Sequence, residues 1–330
     1  MMAAPDTATA ATTAAATKPA SNTAAGGFAT STLSLSDGRV LSVHEFGASS
    51  GRPVLFMHGG GVGATGRFAA PAAEAAERHG VRLVAPDRPA LGRSSPQPRR
   101  SVANWIGDMA ELADSLDLAT FDIVSHSGGA GYALACASVM PGRVRSVSLV
   151  SPMASWPLVR SGGWLPIKAK LSMRVNASMP DRILASLFGR IETGLERDPQ
   201  AACRSFLRRL PTCEQESVAA SDIERYLPDC VGAALHQGAA GAIADLRLVF
   251  KDWGFPLESV HTPVTIWHGG CDTTSPPAVA RLLAGRLAHC TLHTLPNEGH
   301  LSVWLTRGDD ILAGICEPPA GDRRGRPKVG

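Results

Sequence analysis

A serine, an aspartate and a histidine each follow a short apolar segment of this chain, in an order that could support nucleophilic catalysis. Ser127 lies in the segment VSHSGGAG, Asp272 in HGGCD and His300 in NEGH. A serine hydroxyl becomes a strong nucleophile only when a base accepts its proton, and an acid must orient that base. The three residue types therefore predict a nucleophile, an acid and a general base.

Each of these residues also has a purely structural interpretation. A serine before a glycine-rich helix start is a common N-cap, and VSHSGGAG alone supports a capping and a catalytic Ser127 about equally. Asp272 and His300 could likewise cap the helices that follow them. We favour catalysis because three unrelated caps in this order, each behind a predicted strand, are less expected than one triad.

Two glycine-rich segments could supply backbone amides that stabilise a negatively charged oxygen. Gly128 directly follows the candidate nucleophile, and Gly60 lies in the turn His58-Gly-Gly-Gly61 behind another predicted strand. Acyl transfer requires two N–H groups aimed at the developing oxyanion. We therefore predict an oxyanion hole at Gly60 and Gly128. The turn lacks the G-K-[ST] ending of a phosphate loop, which disfavours nucleotide binding.

Alternating strand and helix patterns place these residues at one edge of a sheet. Short apolar runs predict strands, and apolar residues at helical spacing predict the helices between them. This alternation indicates an α/β fold with a mostly parallel central sheet and helices on both faces. In such a sheet, ligands bind at the carboxyl ends of the strands. The predicted strands are 53–57, 81–85, 121–124, 144–150, 263–267 and 290–295.

The alternation stops between 153 and 255, where the sequence predicts helices only. We interpret 153–255 as a helical cap inserted into a core formed by 29–152 and 256–316. Residues 1–28, which are rich in Ala, Thr and Ser, are predicted to be a disordered tail. Residues 317–330 are predicted to be a flexible tail.

Composition argues for an ordinary globular protein. The chain has 330 residues, 44% of them hydrophobic, and its formal charge of +3 indicates neither nucleic acid nor a membrane as partner. Its seven widely spaced cysteines argue against a disulfide framework and for a reducing compartment. No residue cluster predicts a metal. We expect a cytoplasmic protein without a cofactor that acts on a small molecule, with a homodimer left open.

Five segments together resemble the α/β-hydrolase superfamily, in particular its serine-nucleophile branch with a helical cap. The resemblance covers nearly all of the chain except its two tails. It implies the α/β-hydrolase fold and the triad of Ser127, Asp272 and His300. Two positions depart from the family pattern, because Ser125 and Ala90 each replace a usual glycine. The segments are HGGG at 58–61, DRPALGRS at 87–94, SHSGG at 125–129, HGGCD at 268–272 and EGH at 298–300.

The ordered residues and the resemblance predict a serine hydrolase that cleaves a small, fairly apolar ester, lactone, thioester or amide through an acyl-enzyme. The same scaffold hosts many reactions. A cyclase, acyltransferase or lyase using the same site stays open, as does a ligand-binding receptor without turnover. Asp245 is the reserve candidate for the acid, and no motif fixes a role for Tyr132 or Tyr226.

Overall fold

The predicted tails lie largely outside the part of the chain that the structure describes. Residues 317–330 are outside it, as is most of 1–28. Within 1–28, Asn22–Ala24 forms a strand and Phe28 begins the next one. The prediction of a disordered tail that extends to residue 28 therefore differs from the structure at these residues. The computed structural model describes residues 22–24, 28–61, 65–219 and 221–316.

Nine strands in the described residues form one sheet. They are β1 Asn22–Ala24, β2 Phe28–Ser34, β3 Val40–Gly47, β4 Arg52–Met57, β5 Val81–Pro86, β6 Phe121–His126, β7 Val144–Val150, β8 Val264–Gly269 and β9 Cys290–Leu295. Their spatial order is β1-β2-β3-β5-β4-β6-β7-β8-β9. The first three strands pair in antiparallel fashion, and the other six are parallel to one another. The predicted mostly parallel sheet is confirmed.

Helices follow the parallel strands in the described part of the chain. The segment after the glycine turn begins as a 3-10 helix, Gly66–Ala72, which contains Pro71. No described helix combines the length and hydropathy that crossing a bilayer requires. The helices are α1 Ala73–Arg78, α2 Val102–Ser115, α3 Ala130–Val139, α4 Trp156–Ser161, α5 Ile167–Ser178, α6 Asp181–Arg197, α7 Pro199–Leu207, α8 Thr212–Ala219, α9 Ile223–Leu235, α10 Ala239–Phe250, α11 Pro277–Ala284 and α12 Ser302–Cys316.

The two faces of the sheet bury separate apolar clusters because strand side chains alternate between faces. In β4, Leu55 and Met57 belong to one cluster, whereas Val54 and Phe56 belong to the other. Buried residues of α2, α3 and α11 complete the first cluster, and those of α1 and α12 complete the second. Helices therefore cover both faces, as an α/β fold requires.

The region predicted as a cap, 153–255, contains α4–α10 and, in its described residues, no strand. It lies between β7 and β8 in the chain. Buried side chains of α6 and α9, including Phe188 and Leu227, join the second cluster. The hydroxyl of Thr65 donates to the carbonyl of Cys230 over 3.5 Å, which ties α9 to the segment behind β4.

Candidate active site

Ser127 lies at the sharp turn between β6 and α3. The strand ends at His126, a single 3-10 turn spans Ser127–Gly129, and the helix begins at Ala130. The φ angle of Ser127 is +53°, in the left-handed region that residues other than glycine rarely adopt. This strained backbone is the geometry by which a nucleophile turn presents its serine.

Close packing explains the glycines on the helix side of this turn. A Cβ on Gly129 would lie 2.2 Å from the carbonyl oxygen of Met57, and one on Gly131 would lie 2.5 Å from the Trp253 ring. Ser125, by contrast, is accommodated opposite Met57 in the sheet and is fully buried. Its hydroxyl has no hydrogen-bond partner within the described residues. The departure at Ser125 therefore leaves the turn intact.

His300 lies in the loop between β9 and α12 and joins the other two predicted residues. Its Nε2 is 2.8 Å from the Oγ of Ser127, and its Nδ1 is 2.8 Å from the Oδ2 of Asp272. Because these residues follow β6, β8 and β9, three loops at the carboxyl ends of parallel strands meet here. Ser127, His300 and Asp272 form one hydrogen-bonded chain.

Asp272 is held by its own loop as well as by His300. Its Oδ1 accepts hydrogen bonds from the amides of Thr274 and Ser275, each over 2.8 Å. The loop is braced further by His268, whose Nε2 donates to the carbonyl of Ser275 over 2.8 Å. One carboxylate oxygen thus closes the loop while the other faces the histidine. The interpretation of Asp272 as a helix cap is wrong, because α11 begins after Pro276 and no side chain caps its first turn.

Within the hydrogen-bonded triad, charge interactions shift the pKa values of Asp272 and His300 in the direction opposite to the effect of burial. Burial alone would raise the pKa of Asp272, but the charge and hydrogen bond of His300 lower that pKa below its ordinary value. Burial alone would lower the pKa of His300, but Asp272 raises it above 6.5. The pair therefore favours an ionised carboxylate that stabilises a proton on the imidazole.

His126 is next to Ser127 in sequence, but its side chain makes no hydrogen bond to the side chains of Ser127, His300 or Asp272 among the described contacts. Its Nε2 lies 3.0 Å from the carbonyl oxygen of His300, and its ring packs against Phe68 at a centroid distance of 4.8 Å. Burial, together with the nearby His300, lowers the pKa of His126 to about 3. A neutral His126 therefore donates to the loop that carries His300 and braces it.

The glycine turn behind β4 packs against the Ser127 turn. The backbone nitrogen of Gly60 is 3.1 Å from the position that a Cβ on Gly128 would occupy. That Cβ would also lie 2.7 Å from Cγ2 of Val249, a distance that no real Cβ tolerates. Gly60 and Gly128 are therefore neighbours at the Ser127 turn, and a side chain at position 128 would have to displace Val249.

Comparison with known proteins agrees with this geometry. Residues 54–313 match the model of the alpha/beta hydrolase family. The chain belongs to this family. It is 26% identical over 287 residues to a non-heme chloroperoxidase of Streptomyces lividans, a match that covers 82% of this chain and 92% of that protein. It is 27% identical over 276 residues to a 2-hydroxymuconate semialdehyde hydrolase of Pseudomonas sp. (strain CF600), covering 78% and 83% of the two chains.

Solved structures share the alpha/beta hydrolase fold with this chain. The enol-lactonase from Burkholderia xenovorans LB400 superposes with a TM-score of 0.58 at 19% identity, and the match covers 84% of this chain and 96% of that one. At this identity the likeness concerns the fold alone.

An ion pair buried beside the glycine turn of this alpha/beta hydrolase was not predicted. Arg88, directly behind β5, binds Asp245 of α10 through two hydrogen bonds of 2.8 Å. The carboxylate also lies 3.3 Å from Arg100 and 3.5 Å from the hydroxyl of Tyr132. Asp245 is thus committed to arginines, and Asp272 is the carboxylate that binds His300. The signal available in the sequence was a carboxylate, Asp245, within the largely apolar segment ADLRLVF, whose other charged residue is Arg247.

Tyr226 of α9 has no described contact with the site. It is half-buried, and the guanidinium of Arg225 lies 5.7 Å from its ring centre. The described residues contain no group of three or more His, Cys, Asp or Glu side chains placed to hold a metal ion.

Helix α8 contacts the loops that carry the acid and the base. The buried Glu214 accepts hydrogen bonds from the amides of Leu301 and Ser302, directly behind His300. The neighbouring Cys213 forms a disulfide with Cys271, which precedes Asp272. The cysteine spacing argued against a disulfide framework, and it did not predict this single pair. Its two members are 58 residues apart and meet only because α8 folds back onto the sheet edge.

Proposed function

We propose that this chain is a serine hydrolase that cleaves a small, fairly apolar ester, lactone, thioester or amide through an acyl-enzyme. The observation that carries the proposal is a pair of hydrogen bonds, one between the Ser127 hydroxyl and His300 and one between His300 and Asp272, each 2.8 Å long. A nucleophile, a base and an orienting acid within hydrogen-bond distance are the parts that acyl transfer needs.

The first half of the proposed reaction forms the acyl-enzyme. His300 accepts the Ser127 proton at Nε2 while the hydroxyl oxygen attacks the substrate carbonyl. The amides of Gly60 and Gly128 donate to the resulting oxyanion. His300 then returns the proton to the leaving group, and the carbonyl re-forms as an ester of Ser127.

The second half repeats these steps with water. His300 removes a proton from a water molecule, which attacks the acyl carbon, and the amides again bind the oxyanion. Collapse of the intermediate releases the acid and returns the proton to Ser127. Asp272 keeps the Nδ1 proton in place throughout and stabilises the imidazolium that forms twice in each cycle.

The surroundings of the glycine turn support an apolar substrate. Beside Gly60, the methyl groups of Val249 and Leu246 lie 3.2 and 3.7 Å from the position a Cβ would occupy, and the nearest polar atom is an oxygen of Asp245 at 3.8 Å, which is paired with Arg88. Both come from α10, in the region proposed as a cap, and apolar walls with few polar groups are typical of small-molecule sites. Ser127 and His300 are themselves buried, with 6% and 7% of their surfaces exposed.

The test is hydrolysis of a panel of p-nitrophenyl esters of increasing acyl length, with Ser127→Ala as the matched control. We expect turnover of short to medium acyl chains and a loss of several orders of magnitude in the variant. Solvent labelled with ¹⁸O should place one labelled oxygen in the acid product. Turnover without that label would favour the acyltransferase, cyclase or lyase alternative. Ligand binding without any turnover would favour a receptor.

A further inference from the structure

The Arg88–Asp245 pair binds the same turn that contains Gly60. Nη1 of Arg88 donates to the carbonyl of His58 over 2.7 Å, and Nη2 donates to the carbonyl of Gly59. The main-chain amide of Arg88 also donates to Nε2 of His58 over 3.1 Å. Nδ1 of His58 also donates to the Gly59 carbonyl, over 2.9 Å. Arg88 thus holds two consecutive peptide carbonyls of the turn that follows β4, and it shares the second of them with His58.

Fixing the Gly59 carbonyl also fixes the direction of the Gly60 amide. The peptide between Gly59 and Gly60 is planar and trans, so its C=O and N–H point in opposite directions. With the oxygen held toward Arg88, the N–H points away from Arg88. The Gly60 nitrogen is also the atom that lies 3.1 Å from the Cβ position of Gly128, beside Ser127.

Burying the Arg88–Asp245 pair removes two charges from water, which carries a large desolvation penalty. Stability alone therefore does not explain why the pair is buried here. Arg88 and Asp245 are 1% and 0% exposed, and the arginine also lies over the Tyr132 ring, 4.6 Å from its centre. Two buried charges are often no more stabilising than apolar residues of the same volume. Arginine, however, offers a rigid planar fork that can bind a carboxylate and two carbonyls together, which no apolar side chain can do.

We infer that Arg88 and Asp245 are positioning residues that orient the Gly60 amide toward the oxyanion, an inference that rests on the proposed function. Arg88 holds the turn, and Asp245 holds Arg88. Because Asp245 lies on α10 together with Val249 and Leu246, the helix whose apolar side chains lie beside Gly60 also holds Arg88 in place. Neither residue contacts the reacting atoms.

The test compares variants that remove the two-pronged contact of Arg88 with and without its own positive charge; Arg100 keeps its hydrogen bonds to the carbonyls of Pro89 and Gly241 in each variant. Arg88→Met/Asp245→Leu deletes both charges, and Arg88→Lys keeps the charge but cannot reach both carbonyls. The matched control is Arg39→Met/Asp108→Leu. It removes another two-pronged ion pair, with contacts of 3.0 and 2.6 Å, that holds the β2–β3 turn to α2. Melting temperature, kcat and KM are measured with a p-nitrophenyl ester that the wild type hydrolyses.

We expect both Arg88 variants to lose about 10²-fold in kcat, the loss typical of one missing oxyanion donor, while KM changes less than about threefold. Affinity for a trifluoromethyl ketone, whose adduct with Ser127 carries an oxyanion, should fall by a similar factor. The control should keep kcat within about threefold. A folded Arg88→Met/Asp245→Leu or Arg88→Lys variant with wild-type kcat and ketone affinity would overturn the positioning role of Arg88 and Asp245. It would leave the proposed function untouched. A wild type without turnover or ketone binding would overturn the proposed function as well.

Discussion

Nε2 of His300 lies 2.8 Å from Oγ of Ser127, although the two residues are 173 positions apart in the chain. The contact exists because β6 and β9 are parallel strands of one sheet, so the loops behind them meet at the same edge. It places the proton acceptor within hydrogen-bond distance of the hydroxyl before any substrate binds.

The pH dependence of hydrolysis follows from the coupling of His300 to Asp272. His300 accepts a proton only when it is neutral, and Asp272 raises its pKa above 6.5 against the opposing effect of burial. We therefore expect kcat/KM to fall as the pH decreases, with a midpoint above 6.5. Asp272→Asn removes the charge that raises this pKa, so the midpoint should move to lower pH while kcat falls by about 10⁴-fold. An unchanged midpoint would contradict the assignment of Asp272.

A Cβ at position 128 should obstruct the oxyanion site. In Gly128→Ala the methyl group would lie 3.1 Å from the Gly60 nitrogen, which is proposed to bind the oxyanion, and 2.7 Å from Cγ2 of Val249. We expect kcat to fall at least about 10²-fold. Gly107→Ala on α2 is the control, because a Cβ there meets nothing within 4 Å. It should keep full activity and gain up to about 1 kcal/mol of stability.

The buried hydroxyl of Ser125 is a source of instability that the nucleophile turn does not need. It has no partner among the described residues, and leaving such a group buried costs about 1–3 kcal/mol. Ser125→Ala should therefore raise the free energy of unfolding in urea by about 1 kcal/mol and leave kcat/KM within about threefold. Ser125→Gly should gain less, because glycine weakens a strand by about 0.5–1 kcal/mol. A large loss of activity in either variant would show that Ser125 shapes catalysis.

Ala90 occupies a backbone conformation that favours glycine. Its φ is +61°, and an alanine pays roughly 1–2 kcal/mol there. We expect Ala90→Gly to raise stability by about 0.5–1 kcal/mol, once the extra freedom of glycine in the unfolded chain is deducted. The matched control, Ala185→Gly within α6, should instead lose about 1 kcal/mol. Equal effects of the two variants on the melting temperature would refute the strain at Ala90.

The Cys213–Cys271 disulfide should contribute measurably to stability. Its two cysteines are separated by 58 residues, and a cross-link over a loop of that size typically contributes about 2–4 kcal/mol. Two cysteines of the unfolded protein should resist alkylation until a reductant is added. Cys213→Ser should lower the melting temperature, whereas Cys290→Ser, which changes a free cysteine, should have little effect. Alkylation of all seven cysteines without reductant would contradict the pairing.

The sequence was sufficient for the fold and for the residues of the hydrogen-bonded chain because both depend on local patterns. Apolar runs located the parallel strands. Because the loops that follow parallel strands meet at the carboxyl edge of the sheet, Ser127, Asp272 and His300 could then be selected as neighbours. The adjacency of Gly60 and Gly128 followed from the same rule. Even the departure at Ser125 was visible as a missing glycine, although its buried hydroxyl was not.

The contacts that the sequence did not predict join the region of α4–α10 to the core. Arg88 and Asp245 are 157 positions apart, and no periodicity relates a loop behind β5 to a carboxylate on α10. Glu214 and Cys213 are also far in sequence from the loops they bind, by 88 and 58 positions. Such pairings depend on how the helices between β7 and β8 pack over the sheet edge, which local patterns do not specify.

The central claim is that Ser127 is an activated nucleophile, and labelling with a fluorophosphonate tests it most directly. The reagent reacts with a serine whose hydroxyl is deprotonated by a neighbouring base and whose oxyanion is stabilised. We predict one adduct on the wild-type chain, located at Ser127 by peptide mass spectrometry, and none on Ser127→Ala. His300→Ala should slow labelling by orders of magnitude. A wild type that stays unlabelled, or a Ser127→Ala variant labelled equally well, would contradict the account.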